Sequence, residues 1–121
     1  MISLDILKKM KIKEDMACTP YLTHVSLDSS ILTDDTNQRI IFEVVHLEDL
    51  DTLADLLDPS IDQMIWIIFV KPIHKHSVVY RDHPFTPLKQ KGYDGVAQIS
   101  IDDTYSALRF RHQSYITFKK R

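Results

Sequence analysis

Two β-branched apolar runs stand on either side of an amphipathic stretch, and that order leaves few folds open. Residues 39–46 (RIIFEVVH) and Met64–Val70 (MIWIIFV) are nearly unbroken apolar runs, the pattern of strands buried on both faces. Between them, residues 47–57 (LEDLDTLADLL) change period. Leu47, Leu50, Leu53, Ala54 and Leu57 share one helical face, while Glu48, Asp51, Asp55 and Asp58 cover the other. Pro59 stops the helix, because it brings no N–H and its ring clashes with the preceding turn. Strand, helix and strand in this order predict a parallel pair joined by a right-handed crossover.

The flanking segments extend that frame. Residues 3–11 read as a short helix, with Ser3 at the N-cap and Ile2 and Leu7 spaced as a hydrophobic staple. Residues 21–27 alternate weakly as a strand, and residues 33–38 (TDDTNQ) are turn chemistry. Whether residues 12–39 hold one strand or two stays open. Pro72, Pro84 and Pro87 break up the chain after Lys71 and leave room for a short helix at 87–91. Gly92 and Gly95 mark turns. Residues 96–102 (VAQISID) and 105–111 (YSALRFR) alternate as two strands, with Asp103-Thr104 between them as a hairpin connection. Residues 115–118 (YITF) add an edge strand. The expected architecture is a single α/β domain over residues 1–121: a small three-layer sandwich around a mixed sheet, parallel at its centre and ending in an antiparallel C-terminal hairpin.

Composition narrows the function classes. The single cysteine, Cys18, excludes an internal disulfide and a multi-cysteine metal site, and it suits a reducing compartment. The longest apolar run is seven residues, against about 20 for a membrane-spanning helix. The N-terminus lacks the basic start, apolar stretch and cleavage site of a signal peptide. A soluble cytoplasmic protein is expected. The two glycines, Gly92 and Gly95, do not make a glycine-rich phosphate loop.

Charge is unevenly spread. Residues 28–62 carry a net −9 and residues 63–121 a net +6, within an overall −2. Opposite faces of one domain can carry opposite signs, and such faces also allow head-to-tail docking of copies, hence a homo-oligomer, or contact with another protein. The basic residues are spread over strands and turns, not gathered in an arm, which argues against a nucleic-acid role.

Four groups could carry chemistry. His74, His76 and His83, with Asp82, lie in a proline-rich loop and could ligate zinc, but they lack tight ligand spacing and no metal is assigned. Cys18, with His24 nearby in sequence, would need a base or positive charge to become a nucleophile. Asp102 and Asp103 form an acid pair, though neighbours on an extended strand point to opposite faces and aspartates are common turn formers. Arg109 and Arg111 share a strand face and, with Lys71 and Arg81, could form an anion site.

The segment GYDGVAQISIDDTYSALRFR, residues 92–111, resembles the C-terminal signature of an uncharacterised bacterial domain family. Gln98, Asp102, Asp103, Thr104, Ser106, Ala107, Leu108, Arg109 and Arg111 match, and Tyr105 stands where the family usually has tryptophan. The Met64–Val70 strand with Lys71, the Arg81-Asp82 pair and residues 8–16 resemble its upstream segments. The resemblance implies a reduced, truncated S-adenosylmethionine methyltransferase-like fold. Enzymes of that fold have a glycine-rich turn after the first strand and an acid ending the second. Residues 17–30 contain no glycine, and Asp28 is the acid available. The resemblance therefore implies a fold whose cofactor site is lost: no cofactor, no catalysis, and a role in protein–protein contacts. Two alternatives remain. One is a small anionic-ligand binder or enzyme using Lys71, Arg81, Asp102, Asp103, Thr104, Arg109 and Arg111. The other is a weak nucleic-acid binder through the basic C-terminal half.

Overall fold

The computed structural model describes residues 2–13, 15–71 and 85–116. Its strands are β1 (Thr19–Tyr21), β2 (Arg39–Glu43), β3 (Met64–Val70), β4 (Tyr93–Ser100) and β5 (Tyr105–His112). Its α-helices are α1 (Leu4–Lys9), α2 (Asp49–Ala54) and α3 (Thr86–Lys89), and a 3-10 turn covers Gln113–Tyr115. The strands form one sheet in the order β1-β2-β3-β5-β4. β1, β2 and β3 run parallel, β5 is antiparallel to β3, and β4 is antiparallel to β5. The expected mixed sheet, with a parallel pair and a C-terminal hairpin, is what forms.

The two-residue period of the strands sorts their side chains into two cores. Ile40, Phe42, Ile65, Ile67, Phe69 and Phe110 meet Leu50 and Leu53 of α2 and Leu88 of α3. On the other face Ile41, Trp66, Ile68 and Ala107 meet Ile2, Leu7, Met10 and Ile12 around α1. The sheet is therefore the middle of three layers. β3 belongs to both cores: Ile65, Trp66, Ile67 and Ile68 are all at most 1% exposed, and burial of such side chains stabilises by about 1.5–3 kcal/mol each. The Trp66 indole N–H donates to the Met10 carbonyl at 3.1 Å, tying the end of α1 to the sheet.

α1 begins as expected, with the Ser3 hydroxyl accepting the Ile6 N–H. Its end is a Schellman motif. Ile12 N–H bonds Leu7 O at 2.9 Å and Lys11 N–H bonds Lys8 O at 3.0 Å, with Lys11 at φ 64°, where glycine is the usual residue.

Several elements differ from expectation. α2 is shorter than 47–57 because the Asp49 carboxylate accepts the N–H groups of Val45 and His46 at 2.8 and 2.9 Å, which bends the chain into a turn ahead of the helix. Leu47, expected on the apolar face, is 50% exposed. The strand expected at 21–27 stops at Tyr21. Gly92 does turn the chain, at φ 89°, but Gly95 lies inside β4, at a bulge between Gly95 and Ala97. Of the edge strand expected at 115–118, Tyr115 instead ends a 3-10 turn, and residues 117–118 lie outside the described residues. No helix among the described residues is long and apolar enough to cross a membrane.

Candidate functional site

Open parallel sheets ordinarily bind ligands beyond the carboxyl ends of their strands. In this chain those ends are Tyr21, Glu43 and Val70. Glu43 is 4% exposed. Its Oε1 accepts the backbone N–H groups of Thr23, His24 and Val25 at 2.7, 2.7 and 2.9 Å. Successive N–H groups converging on one point make an anion-binding nest, and here the anion is the chain's own carboxylate. This is why the strand predicted at 21–27 does not form: three of its N–H groups are drawn to a side chain and cannot join a ladder.

At the same end of the sheet, next to the carboxyl end of β3, the hairpin tip is built in the same way. Asp102 Oδ1 accepts the N–H groups of Thr104 and Tyr105, both at 2.8 Å. The Lys71 N–H donates to Thr104 O at 2.8 Å, and the Lys71 ammonium donates to Ser100 Oγ at 2.7 Å. Burial pushes the Tyr105 phenol pKa up, and the negative charges of Glu43 and Asp102 add to this. Lys71, Asp102 and Thr104, with Asp103 in the same turn, therefore gather at one end of the sheet.

The two arginines lie elsewhere. Arg109 stands opposite Trp66 on β3 and Ala97 on β4, and Arg111 lies two residues further along β5. At about 3.4 Å per residue, Arg111 sits roughly 20 Å from Tyr105, at the opposite end of β5. Its guanidinium grips Asp62 through Nε–Oδ1 at 2.9 Å and a second bond to Oδ2 at 2.5 Å. Arg109 is half-buried, and among the described residues its Nε has no hydrogen-bond partner. Burial lowers its pKa, the neighbouring Arg111 adds to this, and Asp62 opposes it. Among the described residues, the candidate anion-site side chains thus fall into two groups at opposite ends of the sheet. Arg81 lies outside the described residues.

His74, His76, His83 and Asp82 also lie outside the described residues. Among those described, no group of three His, Cys, Asp or Glu side chains is placed to hold a metal ion. Cys18 is fully buried. Burial pushes its thiol pKa up, Arg39 pulls it down, and Asp34 raises it again. His24 is exposed, and its N–H is engaged by Glu43.

Asp28 does not end a strand; it accepts the Ser30 N–H and hydroxyl in a tight turn. The acid that ends the second strand is Glu43. Its signal in the sequence is that one carboxylate sits inside an apolar run, where a buried charge needs partners. The acidic stretch as a whole builds turns: Asp34, Asp49 and Asp58 accept backbone N–H groups too, and Asp62 pairs with Arg111.

No protein-family model matches the chain, which leaves the family resemblance of its C-terminal hairpin unconfirmed, and no curated protein matches it either. Among solved structures the chain is similar to the N-methyltransferase NodS from Bradyrhizobium japonicum WM9, determined in complex with S-adenosyl-l-homocysteine. The identity is 14% and the TM-score 0.42, over 70% of this chain and 56% of that one. The chain spans little more than half the length of that neighbour.

Proposed function

We propose that this chain is a non-catalytic α/β module, of the reduced methyltransferase-like kind its C-terminal hairpin resembles, acting through protein contacts and first with a second copy of itself. The observation that carries this reading is the Glu43 clamp. An adenosyl group needs backbone close to it where a side-chain-free bend leaves room, and residues 17–30 contain no glycine. The N–H groups of Thr23, His24 and Val25 that would meet an incoming anion are already taken. A ligand entering there would have to displace a buried carboxylate. Fold alone does not carry activity.

β4 supports the contact half of the reading. Among the described residues it pairs only with β5, and residues 94–98 are exposed. Asp94 is its one charged residue, and it has no lysine or proline to guard the edge. The bulge leaves residues 97–100 as the regular segment on which another strand could add.

Two measurements test this. The melting temperature is expected to stay unchanged with saturating S-adenosylmethionine, and a rise would mean a working cofactor site. Light scattering is expected to show a mass that grows with concentration and that Gln98→Lys reduces. A monomeric mass at every concentration would remove self-association.

A further inference from the structure

A cleft of about 470 Å³ opens between α1 and residues 30–32. Its floor is core: Leu7 and Ile12 line it, and they are only 1% and 4% exposed. Its walls are Leu4, Ile31 and Leu32. Leu32 is 50% exposed, a large apolar side chain turned to solvent at the mouth of an apolar hollow. The rim carries Lys8, Lys11 and Lys13, and no acidic residue lines the cleft among the described residues. All three lysines are exposed, and among the described residues none of them makes an ion pair.

Both walls are held in place. The Schellman motif fixes Lys11 and Ile12 against the end of α1. Leu32 O accepts the Cys18 N–H at 3.1 Å, and Cys18 and Thr33 form a parallel bridge, so residues 31–33 are anchored beside β1. The volume falls at the small end of the roughly 300–1,000 Å³ typical of small-molecule sites. That suits one apolar chain, not two.

We propose that this cleft binds a single-chain anionic amphiphile, a fatty-acid-like molecule. Its apolar tail lies on Leu7 and Ile12 between Leu4 and Leu32, and its carboxylate meets the lysine rim. An apolar floor supplies affinity without direction. The one-signed rim supplies the choice of head group, because a cation at the same place meets three like charges.

The test uses the full chain and sodium decanoate, kept below its micelle concentration, in a calorimetric titration. Decanoate is expected to saturate, and decyltrimethylammonium, with the same tail and the opposite head, to bind at least about tenfold more weakly. The Lys8→Gln/Lys13→Gln double variant, altered only at exposed positions, leaves Lys11 alone on the rim and is expected to narrow that ratio while decanol binding stays unchanged. Leu32→Asp is expected to abolish decanoate binding with an unchanged circular dichroism spectrum. Should Leu32→Asp unfold, the double lysine variant decides alone. Failure of decanoate to saturate overturns the proposal, and so does equal binding of the two head groups. Sedimentation of the chain with phosphatidylglycerol vesicles, with no binding of monomeric decanoate, overturns it in favour of a membrane surface.

Discussion

The Glu43 carboxylate lies 2.7 Å from the backbone nitrogen of His24, so the residue that ends β2 holds the loop that leaves β1. Removing that carboxylate leaves three N–H groups without their acceptor, in a region where Val25 is buried. Glu43→Ala is expected to destabilise the chain by about 3 kcal/mol, since hydrogen bonds to charged groups and stranded buried donors each count for about 1–3 kcal/mol. Glu43→Gln keeps one acceptor oxygen and should cost about 1 kcal/mol. Urea denaturation of both variants checks the order.

Tyr93 is 1% exposed, and among the described residues its hydroxyl has no hydrogen-bond partner. Burial, aided by Asp58 and Tyr115, pushes its pKa from 10.0 up to about 12. The folded state therefore favours the neutral phenol. The stability this gives is complete below the unfolded value near 10.0 and is lost as pH rises toward about 12. Tyr93→Phe should leave stability at neutral pH unchanged or slightly raised, because a stranded polar group is removed. It should also flatten the fall in melting temperature across that alkaline window.

The Asp62–Arg111 pair works in the opposite direction of pH. The Arg111 hydrogen bonds hold the Asp62 carboxyl below its ordinary value of 3.8. Its contribution is present above that value and is lost as pH falls through the lower, folded-state pKa. Both side chains are about one-third exposed, so the pair contributes at most about 1 kcal/mol. Asp62→Asn is expected to lower stability at pH 7 by up to that amount and to reduce the steepness of acid unfolding, as read from melting temperatures between about pH 2 and 5.

Lys11 adopts a backbone conformation that costs a residue with a Cβ about 1–2 kcal/mol. Lys11→Gly is expected to relieve part of this and raise stability by about 1 kcal/mol in urea denaturation, even though it removes a helix-terminal cation.

Cys18, with its thiol buried and its pKa raised, is expected to resist alkylation in the native state. Its labelling rate should rise only as urea opens the fold, since the thiolate is the reacting form. Fast labelling without denaturant would place the thiol at the surface.

What could be read from the sequence follows how local each cause is. β3 forms at Met64–Val70 as expected because seven apolar residues in a row satisfy both cores without help. The hairpin was legible from alternation, but its first strand was expected at 96–102 and runs Tyr93–Ser100, because Asp102 is drawn into the turn by accepting the Thr104 and Tyr105 N–H groups. Residues 21–27 misled, because their N–H groups answer to a side chain many positions away in sequence. The long reading of α2 failed for a related reason: the Asp49 carboxylate closes the turn before the helix. The grouping of Lys71 with Arg109 and Arg111 depended on β5 register, and composition does not fix register. The amphiphile cleft had no sequence signal, since it joins α1 to residues 30–32 across the chain.

β3 has one flank paired with β2, earlier in the chain, and the other with β5, near its end. During synthesis on the ribosome, Met64–Val70 emerges with that second flank bare until residues 105–112 follow. For that interval the nascent polypeptide offers a sticky apolar ribbon with open amide and carbonyl groups, the kind of segment that aggregates or engages a chaperone. Slow translation or truncation before Tyr105 would prolong that exposure.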